Sequence, residues 1–430
     1  MGATSATDLS ADVPSATETE AGNAAARLAD VLVLPYLNHA VSMYEAGYAS
    51  REGIDNGMIF GCGLPVGPLA RVDALGLTSV RDELAAVHAA SGDPLHAPRP
   101  LLDQLIDEGR SGREAGAGFY TYAAPGADEV VADDLTPSGG VPEGVELRNV
   151  ATVGVVGTGT MASGIAEVFA KAGWPVTVVG RSADKVEAVT ARIGTSLAKA
   201  VQRGRTTQAE ADAVLARLTL ATSREALADV DLVVEAIAEE LSVKQELFRD
   251  LDRVTAPGTI LATTTSSLPI AELAAVTTRA QDVVGMHFFN PAPVMKLVEI
   301  VRTDETAADV LATVADLCRR TNKVAVSCSD RSGFIVNALL FPYLNDAVKL
   351  VESGAATIDE VDAAITEHHG YPMGPFALLD VVGLDVSLAI QRELLAEFGH
   401  EGFTPARMLV DLVAAGHLGR KTGRGFRDHG

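Results

Sequence analysis

Short apolar runs alternate with longer amphipathic stretches through the middle of the chain. Val153, Val155 and Val156 form one such run and residues 176–179 another, and runs of this kind are typical of buried parallel strands. The pattern predicts further strands at Asp231–Val234, Thr259–Thr264, Val283–Met286 and Leu297–Val301. It predicts helices at Met161–Lys171, through Ser196 to Arg203, from Gln208, at Leu241–Val254 and at Thr306–Arg320. The alternation predicts an α/β fold with a doubly wound sheet.

A glycine-rich turn joins the first strand to the first helix of this region. Gly157 and Gly159 flank Thr158, and Ala162 holds the third position of a G-x-G-x-x-G/A pattern. Glycine allows the backbone to approach a pyrophosphate, and the helix that starts around Thr160 and Met161 offers free N–H donors to it. The strand, helix and strand around the pattern favour a dinucleotide site over an ordinary glycine-rich turn.

The end of the second strand bears on which dinucleotide binds. Enzymes that use NAD usually have Asp or Glu there, whereas this chain has Gly180-Arg181-Ser182. A guanidinium and a hydroxyl favour the 2′-phosphate of NADP. The alternative is that Arg181 is only solvated and that NAD binds without its usual acidic partner.

The regions on either side of the α/β part resemble each other. Residues 34–41, LPYLNHAV, recur as FPYLNDAV at residues 341–348, an offset of 307. The match runs without a gap over about 95 positions, roughly a third of them identical, which indicates a duplicated domain. Each copy is predicted to be all-α, with its second helix starting near Ser50 or Thr357.

The predicted organisation is a Rossmann-like domain between two helical domains, the first reached through an acidic linker containing Pro and Gly. The predicted boundaries are 1–22 for a disordered N-terminus, 23–125 for the first helical copy, 126–147 for the linker, 148–328 for the dinucleotide domain and 329–430 for the second helical copy.

Composition excludes several classes of function. The net charge of −23 opposes nucleic-acid binding, and no apolar run approaches the roughly 18 residues of a membrane span. The first 20 residues lack the features of a signal peptide. The three cysteines have no metal or redox spacing, so reduced thiols in the cytoplasm are expected. His368-His369 invites a metal interpretation, but no carboxylate cluster accompanies the pair, and we predict no metal site.

Candidate catalytic groups lie near the predicted strand ends, where sites gather in open α/β sheets. His287 follows an apolar strand, and Glu299 comes twelve residues later. A histidine can exchange a proton near neutral pH and a carboxylate can fix its tautomer, although a lone histidine at a strand end is more often structural. Among the hydroxyls of Thr263–Ser267, which include Ser266, one is expected to be a helix N-cap, and another is a candidate to point at the substrate. Asn337 is either a helix-surface residue or a substrate donor, and its counterpart in the first copy is Asp30, so that copy is expected to be non-catalytic.

Together these stretches resemble the L-3-hydroxyacyl-CoA dehydrogenase family, which includes bacterial 3-hydroxybutyryl-CoA dehydrogenases. The resemblance covers about 148–430, with 28–122 as an additional helical domain. The motifs that carry it are GTGTMASGIA, VVEAIAEELSVK, TTTSSLPI, GMHFFNPAPVMKLVEI, DRSGFIVNALLFPYLN and LGRKTGRGF. The departures from the family pattern are Gly180 in place of an acidic residue, Thr264 in place of Asn and Ala162 in place of Gly.

The resemblance implies a role for each matching position. It implies that His287 is the catalytic base, that Glu299 is its partner, and that Ser266 and Asn337 bind the substrate oxygen. The positions implied to contact the cofactor, beyond the glycine turn, are Asn290, Glu239 and Lys244. Those implied to contact the CoA portion or another part of the ligand are Ser196, Arg203 and Lys421.

The expected activity is reversible oxidation of an (S)-3-hydroxyacyl-CoA, with 3-hydroxybutyryl-CoA favoured, and with NADP preferred but NAD possible. The first copy is expected to be an internal partner of the second, in the manner of a dimer, and a homo-oligomer is possible. Two alternatives stay open: a dehydrogenase of carrier-protein thioesters or free hydroxy acids, and a non-catalytic dinucleotide-binding protein.

Overall fold

The computed structural model describes residues 16–137 and 140–430, with the backbone alone for residues 16–22. The predicted disordered segment 1–22 therefore lies mostly outside the described residues, and its last part is helical because the first helix begins at Ala16.

The described residues form sixteen α-helices and ten strands. The helices are α1 (Ala16–Glu45), α2 (Arg51–Cys62), α3 (Pro68–Leu75), α4 (Leu77–Ser91), α5 (Pro100–Asp107), α6 (Thr160–Lys171), α7 (Ala183–Gln202), α8 (Gln208–Ala216), α9 (Leu241–Val254), α10 (Ile270–Ala274), α11 (Ala308–Arg320), α12 (Val336–Glu352), α13 (Ile358–His369), α14 (Pro375–Val382), α15 (Leu384–Phe398) and α16 (Arg407–Ala414). The strands are β1 (Thr121–Tyr122), β2 (Val130–Val131), β3 (Val153–Val156), β4 (Val176–Val179), β5 (Leu218–Ala221), β6 (Leu232–Glu235), β7 (Ile260–Thr263), β8 (Val283–Phe288), β9 (Leu297–Arg302) and β10 (Val324–Ser329).

The two helical copies correspond element by element. Helices α2 to α5 and α13 to α16 begin and end at residues that differ by 307, and α1 and α12 end at that same offset. The predicted start of the second helix is correct in both copies, because Ser50 accepts a hydrogen bond from the amide of Gly53 and Thr357 forms a capping box with Glu360. The duplication is therefore visible in the structure as well as in the sequence.

Eight strands form the central sheet, in the order β10-β9-β8-β7-β6-β3-β4-β5. Neighbouring strands are parallel except for β8 and β9, which are antiparallel. The glycine turn follows β3, on whose two sides β4 and β6 lie, and this reversal of strand order is where doubly wound sheets bind ligands. The prediction of a doubly wound α/β domain between two helical domains is confirmed.

Two strands of the central sheet were missing from the predicted set, as were the short strands β1 and β2. Strands β5 and β10 are the two edges of the sheet, and both contain exposed positions between less exposed ones. An edge strand of this kind has no continuous apolar run, so the pattern used for buried strands does not detect it. The predicted end of β8 at Met286 was also too early, and His287 lies inside this strand.

The helical copies pack against each other and against the sheet. Helix α1 lies beside α12 and α13, with the rings of Tyr36 and Tyr343 5.9 Å apart. One continuous hydrophobic core includes residues of both copies and of one face of the sheet, and a second core fills the other face. The first copy is therefore bound into the fold through buried apolar surface on two sides.

The first copy also covers the β10 edge of the sheet. Ala49 forms an antiparallel bridge with Cys328, and the amide of Ser329 donates to the carbonyl of Tyr48 over 3.3 Å. These bonds occupy backbone groups that a bare edge strand would leave unpaired. Part of the predicted linker is also folded onto this copy, since β2 pairs with β1 and Asp133 forms an ion pair with Arg51. The domain boundaries themselves stay predictions.

Candidate active site

The glycine turn after β3 lines a cleft of about 720 Å³. Gly157 has φ +134°, and a Cβ there would lie 2.3 Å from the carbonyl oxygen of Ala236, so this position requires glycine. Gly159 and Thr158 line the same cleft. Thr160 is the first residue of α6, and the side chain of Met161 packs against the second hydrophobic core. A narrow backbone turn that ends at a helix N-terminus fits the pyrophosphate of a dinucleotide.

Two guanidinium groups line the same cleft. Arg181 follows β4, and Arg224 follows the neighbouring strand β5, where it pairs with Asp250. Ser182 is the N-cap residue of α7 and makes no capping hydrogen bond. A Cβ at Gly180 would lie 2.4 Å from a methyl carbon of Thr158, so an acidic side chain at this position would require Thr158 to move. The sequence did not reveal Arg224, because the edge strand that positions it was not detected.

His287 and Glu299 are direct partners across β8 and β9. The Nδ1 atom of His287 lies 2.6 Å from Oε2 of Glu299, and both side chains are buried. Because an ionised carboxylate only accepts hydrogen bonds, Nδ1 carries a proton and Nε2 of the neutral ring is left as the basic nitrogen. The rings of Phe289 and Phe334 lie 4.6 Å and 5.5 Å from the imidazole and limit its movement.

The second oxygen of Glu299 is held by the start of α12. Its Oε1 accepts hydrogen bonds from the amides of Ile335 at 3.0 Å and Val336 at 2.9 Å. A helix N-terminus stabilises negative charge, so these amides favour the ionised carboxylate although it is completely buried. Glu299 therefore joins the histidine of the Rossmann-like domain to the first turn of the second helical copy.

Glu239 and Lys244 belong to an ionic network at the end of β6, in which Lys244 is buried and Glu239 is partly exposed. Lys244 bonds both oxygens of Glu235 at 2.7 Å and 2.9 Å and lies 3.3 Å from Glu239. Burial raises the pKa of Glu239, but the charge of Lys244 and hydrogen bonds from Thr265 and Ser266 outweigh it, so the net shift is downward. Glu235 was not predicted as a site residue, although an acidic residue directly after the apolar pair Val233-Val234 can be recognised in the sequence.

Ser266 and Asn337 come from the two domains that meet at this place. The hydroxyl of Ser266 donates to Oε1 of Glu239 over 3.2 Å, and the amide of Ser266 donates to the same oxygen over 2.7 Å. Asn337 is the second residue of α12 and is buried next to Val336, which holds Glu299. The predicted N-cap role of a hydroxyl is wrong, because the N-cap residue of α10 is Pro269 and the first amides of this helix are bound by the carboxylate of Asp330.

Ser196 and Arg203 line a basic cavity of about 660 Å³. The cationic residues that surround it are Lys171, Lys199, Arg203, Arg205 and Arg217. Ser196 also lines a neighbouring cavity together with Thr160 and Asn290, so the basic cavity and the glycine turn lie on adjoining surfaces. In a chain with a net charge of −23, this group of cations marks a local site for an anionic ligand.

Lys421 is placed apart from the other predicted site residues. It lies in a short 3₁₀ turn near the C-terminus and pairs with Asp385 at the start of α15.

His369 is buried and lies 3.3 Å from Asp30. Among the described residues, no group of three or more His, Cys, Asp or Glu side chains could hold a metal ion.

Comparison with known proteins identifies the domains. The NAD-binding domain of 3-hydroxyacyl-CoA dehydrogenase matches residues 152–331. The C-terminal domain of the same enzyme matches residues 28–122 and also residues 333–429. The chain belongs to the 3-hydroxyacyl-CoA dehydrogenase family.

Relatives within the family are similar over most of their length. A 3-hydroxybutyryl-CoA dehydrogenase from Mycobacterium tuberculosis is 48% identical over 278 residues, which are 64% of this chain and 96% of the relative. A probable 3-hydroxybutyryl-CoA dehydrogenase from Bacillus subtilis is 42% identical over 279 residues, again 64% of this chain and 96% of the relative. About a third of the chain therefore lies outside these alignments.

Solved structures give the same result. The crystal structure of M. tuberculosis FadB2 is 45% identical, with a TM-score of 0.64, and the match covers 66% of this chain and 100% of FadB2. The (S)-3-hydroxybutyryl-CoA dehydrogenase of Ralstonia eutropha is 38% identical, with the same TM-score and the same shares of the two chains. The family resemblance predicted from the motifs is confirmed, and with it a nicotinamide dinucleotide as cofactor.

None of the helices in the described ranges has the length and apolar character that a membrane span requires.

Proposed function

We propose that this protein catalyses the reversible oxidation of an (S)-3-hydroxyacyl-CoA, with 3-hydroxybutyryl-CoA as the favoured substrate. The observation that carries the proposal is the buried contact between Nδ1 of His287 and Glu299, which leaves Nε2 available as a base. The similarity to 3-hydroxybutyryl-CoA dehydrogenases over 96% of their length supports the same substrate class.

In the oxidative direction, Nε2 of His287 takes the proton of the substrate hydroxyl. Glu299 keeps the ring in the required tautomer and stabilises the imidazolium that forms. A nicotinamide held in the cleft would take the hydride from the carbon that bears this hydroxyl, or supply it in the reverse direction. In reduction, the protonated His287 returns its proton to the oxygen. The dyad therefore moves the proton in both directions.

Ser266 and Asn337 are proposed to bind the reacting oxygen. The Ser266 hydroxyl donates to Glu239 and, rotated toward the substrate, would donate instead to the reacting oxygen, because the one proton of the substrate hydroxyl goes to Nε2 of His287. The Asn337 amide is the matching donor for the oxygen as it becomes a carbonyl. The two residues belong to different domains, so closure of the domains around substrate at the Asp330–Gly333 segment would complete the site and exclude water.

We propose NADP as the preferred cofactor, with NAD as a weaker alternative. Arg181 and Arg224 line the same cleft as the glycine turn, and their guanidinium groups would bind a 2′-phosphate. An acidic side chain at position 180 would repel this phosphate. The close approach of Thr158 to Gly180 leaves no room for such a side chain unless Thr158 moves. Glu239, Lys244 and Asn290 are proposed to place the nicotinamide end.

The CoA portion is assigned to the basic cavity. Ser196 and Arg203 would contact its phosphates, and the other cations of the cavity would supply the remaining positive charge. The role of Lys421 as a ligand contact stays a prediction, since its amine is paired with Asp385. The first helical copy is proposed to act as the internal partner of the second, through the packing of α1 on α12 and α13.

Steady-state rates with acetoacetyl-CoA and either NADPH or NADH test the proposal. The variant His287→Ala should keep its affinity for the cofactor and lose about 10²-fold or more in kcat. The exposed residue His368 provides the control, because His368→Ala should leave both properties unchanged. Equal rates with acetoacetate and acetoacetyl-CoA, or full activity of His287→Ala, would contradict the proposed function.

A further inference from the structure

Helix α2 of the first copy carries three glycines on one face. Gly53, Gly57 and Gly61 are spaced four residues apart, so they lie above one another along the helix. Glycine within a helix costs roughly 1 kcal/mol relative to alanine. The equivalent positions of α13 in the second copy are Glu360, Ala364 and His368. Only the first copy therefore has this glycine face. Because the three glycines lower the stability of the helix, their presence calls for a structural reason.

The glycine face lies against the residues that hold Glu299. A Cβ at Gly57 would lie 3.0 Å from a methyl carbon of Ile335, and a Cβ at Gly61 would lie 2.9 Å from methyl carbons of both Leu297 and Val336. Ile335 and Val336 are the two residues whose amides bind Oε1 of Glu299. Helix α2 thus contacts the side chains of the same two residues whose amides make both hydrogen bonds.

The third contact of the glycine face is with the strand that carries the carboxylate. Leu297 begins β9 and lies two residues before Glu299, so its side chain points to the same face of the sheet. Gly61 thus approaches β9 and the start of α12 at once. A side chain larger than hydrogen would push these two elements apart, and Glu299 bridges them.

Helix α2 is itself held in place by several hydrogen bonds, so it can fix the position of the residues that it contacts. Its N-cap Ser50 bonds the amide of Gly53, and Arg51 bonds the carbonyl of Phe119 as well as Asp133. The preceding residue, Ala49, is bridged to β10.

We propose that α2, through Gly57 and Gly61, is a positioning element for the His287–Glu299 pair, so that the catalytic site is incomplete without the first helical copy. This inference rests on the proposed function for its kinetic readout. The two glycines touch neither substrate nor cofactor in this assignment, and they act through Ile335, Val336 and Leu297.

The test uses Gly61→Ala, with Gly53→Ala as the matched control in the same helix. A Cβ at Gly53 would meet the side chains of Ser50 and Ala49 and, at 3.8 Å, the carbonyl of Ser327, and none of these holds Glu299. Both variants gain the same helix propensity. We expect kcat with acetoacetyl-CoA to fall about 10-fold in Gly61→Ala, because displacements well below 1 Å in catalytic groups already reduce rates. The control should stay within twofold of wild type.

A second readout needs no substrate. The proton on Nδ1 of His287 should give a downfield NMR resonance because of its short bond to Glu299, and His287→Ala assigns it by loss of the signal. We expect this resonance to move in Gly61→Ala and to stay unchanged in Gly53→Ala. A purely structural role of Gly61 would lower the melting temperature and leave the resonance in place.

The outcomes separate the two proposals. A folded Gly61→Ala variant with wild-type kcat overturns the positioning role. If Gly61→Ala does not fold, Gly57→Ala is judged by the same criteria, since its overlap involves only Ile335. If the wild-type protein turns over no acyl-CoA, the proposed function fails, and the resonance alone then decides: movement supports the positioning role, and an unchanged resonance overturns it.

Discussion

Replacing Glu299 by glutamine tests how much the carboxylate contributes to the dyad. Its two oxygens are bound on opposite sides, one by His287 Nδ1 at 2.6 Å and the other by two amides near 3 Å. In Glu299→Gln the amide oxygen must serve the two backbone donors, so the NH₂ group faces the histidine. Nδ1 then has to accept a hydrogen bond, and the proton moves to Nε2, which can no longer act as a base.

The expected loss follows from this change of tautomer. The shape of the side chain is conserved, so folding should change little, whereas the base is disabled and the charge that stabilises the imidazolium is removed. We expect kcat to fall about 10³- to 10⁴-fold, which corresponds to roughly 4 to 5.5 kcal/mol of transition-state stabilisation. The assay is oxidation of NADPH or NADH by acetoacetyl-CoA, with cofactor affinity measured separately by fluorescence.

A carboxylate outside the site controls for the change of charge. Glu305 is exposed and lies just beyond the end of β9, and Glu305→Gln should keep wild-type activity. A loss of less than 10-fold in Glu299→Gln, with cofactor affinity intact, would refute the assignment of Glu299 as the partner of the base.

Three further changes test other parts of the structure. Arg181→Ala should raise KM for NADPH about 10-fold or more and leave KM for NADH unchanged, with the exposed Lys185→Ala as control; an equal effect on both cofactors would argue against a phosphate contact. Burial lowers the pKa of His39 to about 4 from 6.5, so the unfolded chain takes up a proton that the folded chain refuses, and stability falls as pH drops from 6.5 toward 4. Urea unfolding of wild type and His39→Leu should therefore show a difference in unfolding free energy that changes by about 2 to 3 kcal/mol between pH 7 and pH 4.5, and parallel curves would exclude this role. Deletion of residues 1–125 should lower the melting temperature or produce a dimer, because it uncovers the apolar surface of α12 and α13; a monomer with unchanged melting would count against an internal partner.

The buried strands and the repeat could be predicted because each leaves a local pattern. Val153–Val156 and residues 176–179 are apolar throughout, and the offset of 307 is visible in any comparison of the chain with itself. The edge strands leave no such pattern, and the antiparallel direction of β9 could not be seen. Glu299 meets His287 because of that direction, and not because two parallel strands end together.

The candidate site was predicted chiefly from motifs, and its supporting contacts were not. Asp330 begins the segment at which domain closure is proposed, and its carboxylate binds the start of α10, a contact that no motif shows. Glu235 forms its ion pair with Lys244 only after β6 and α9 are packed together. The contact of Gly61 with Val336 joins residues 275 positions apart. Such contacts depend on tertiary packing, which one sequence does not display.

Joining both copies in one chain removes a restriction that identical subunits share. In a symmetric homodimer, both subunits have the same sequence. A substitution that improves one site therefore also occurs at the equivalent site of the partner subunit. In this chain, Gly57 can be selected for its contact near the catalytic pair, while the equivalent residue of the second copy, Ala364, is selected independently. The tether also keeps the two halves together at any dilution, so activity per molecule should not depend on protein concentration.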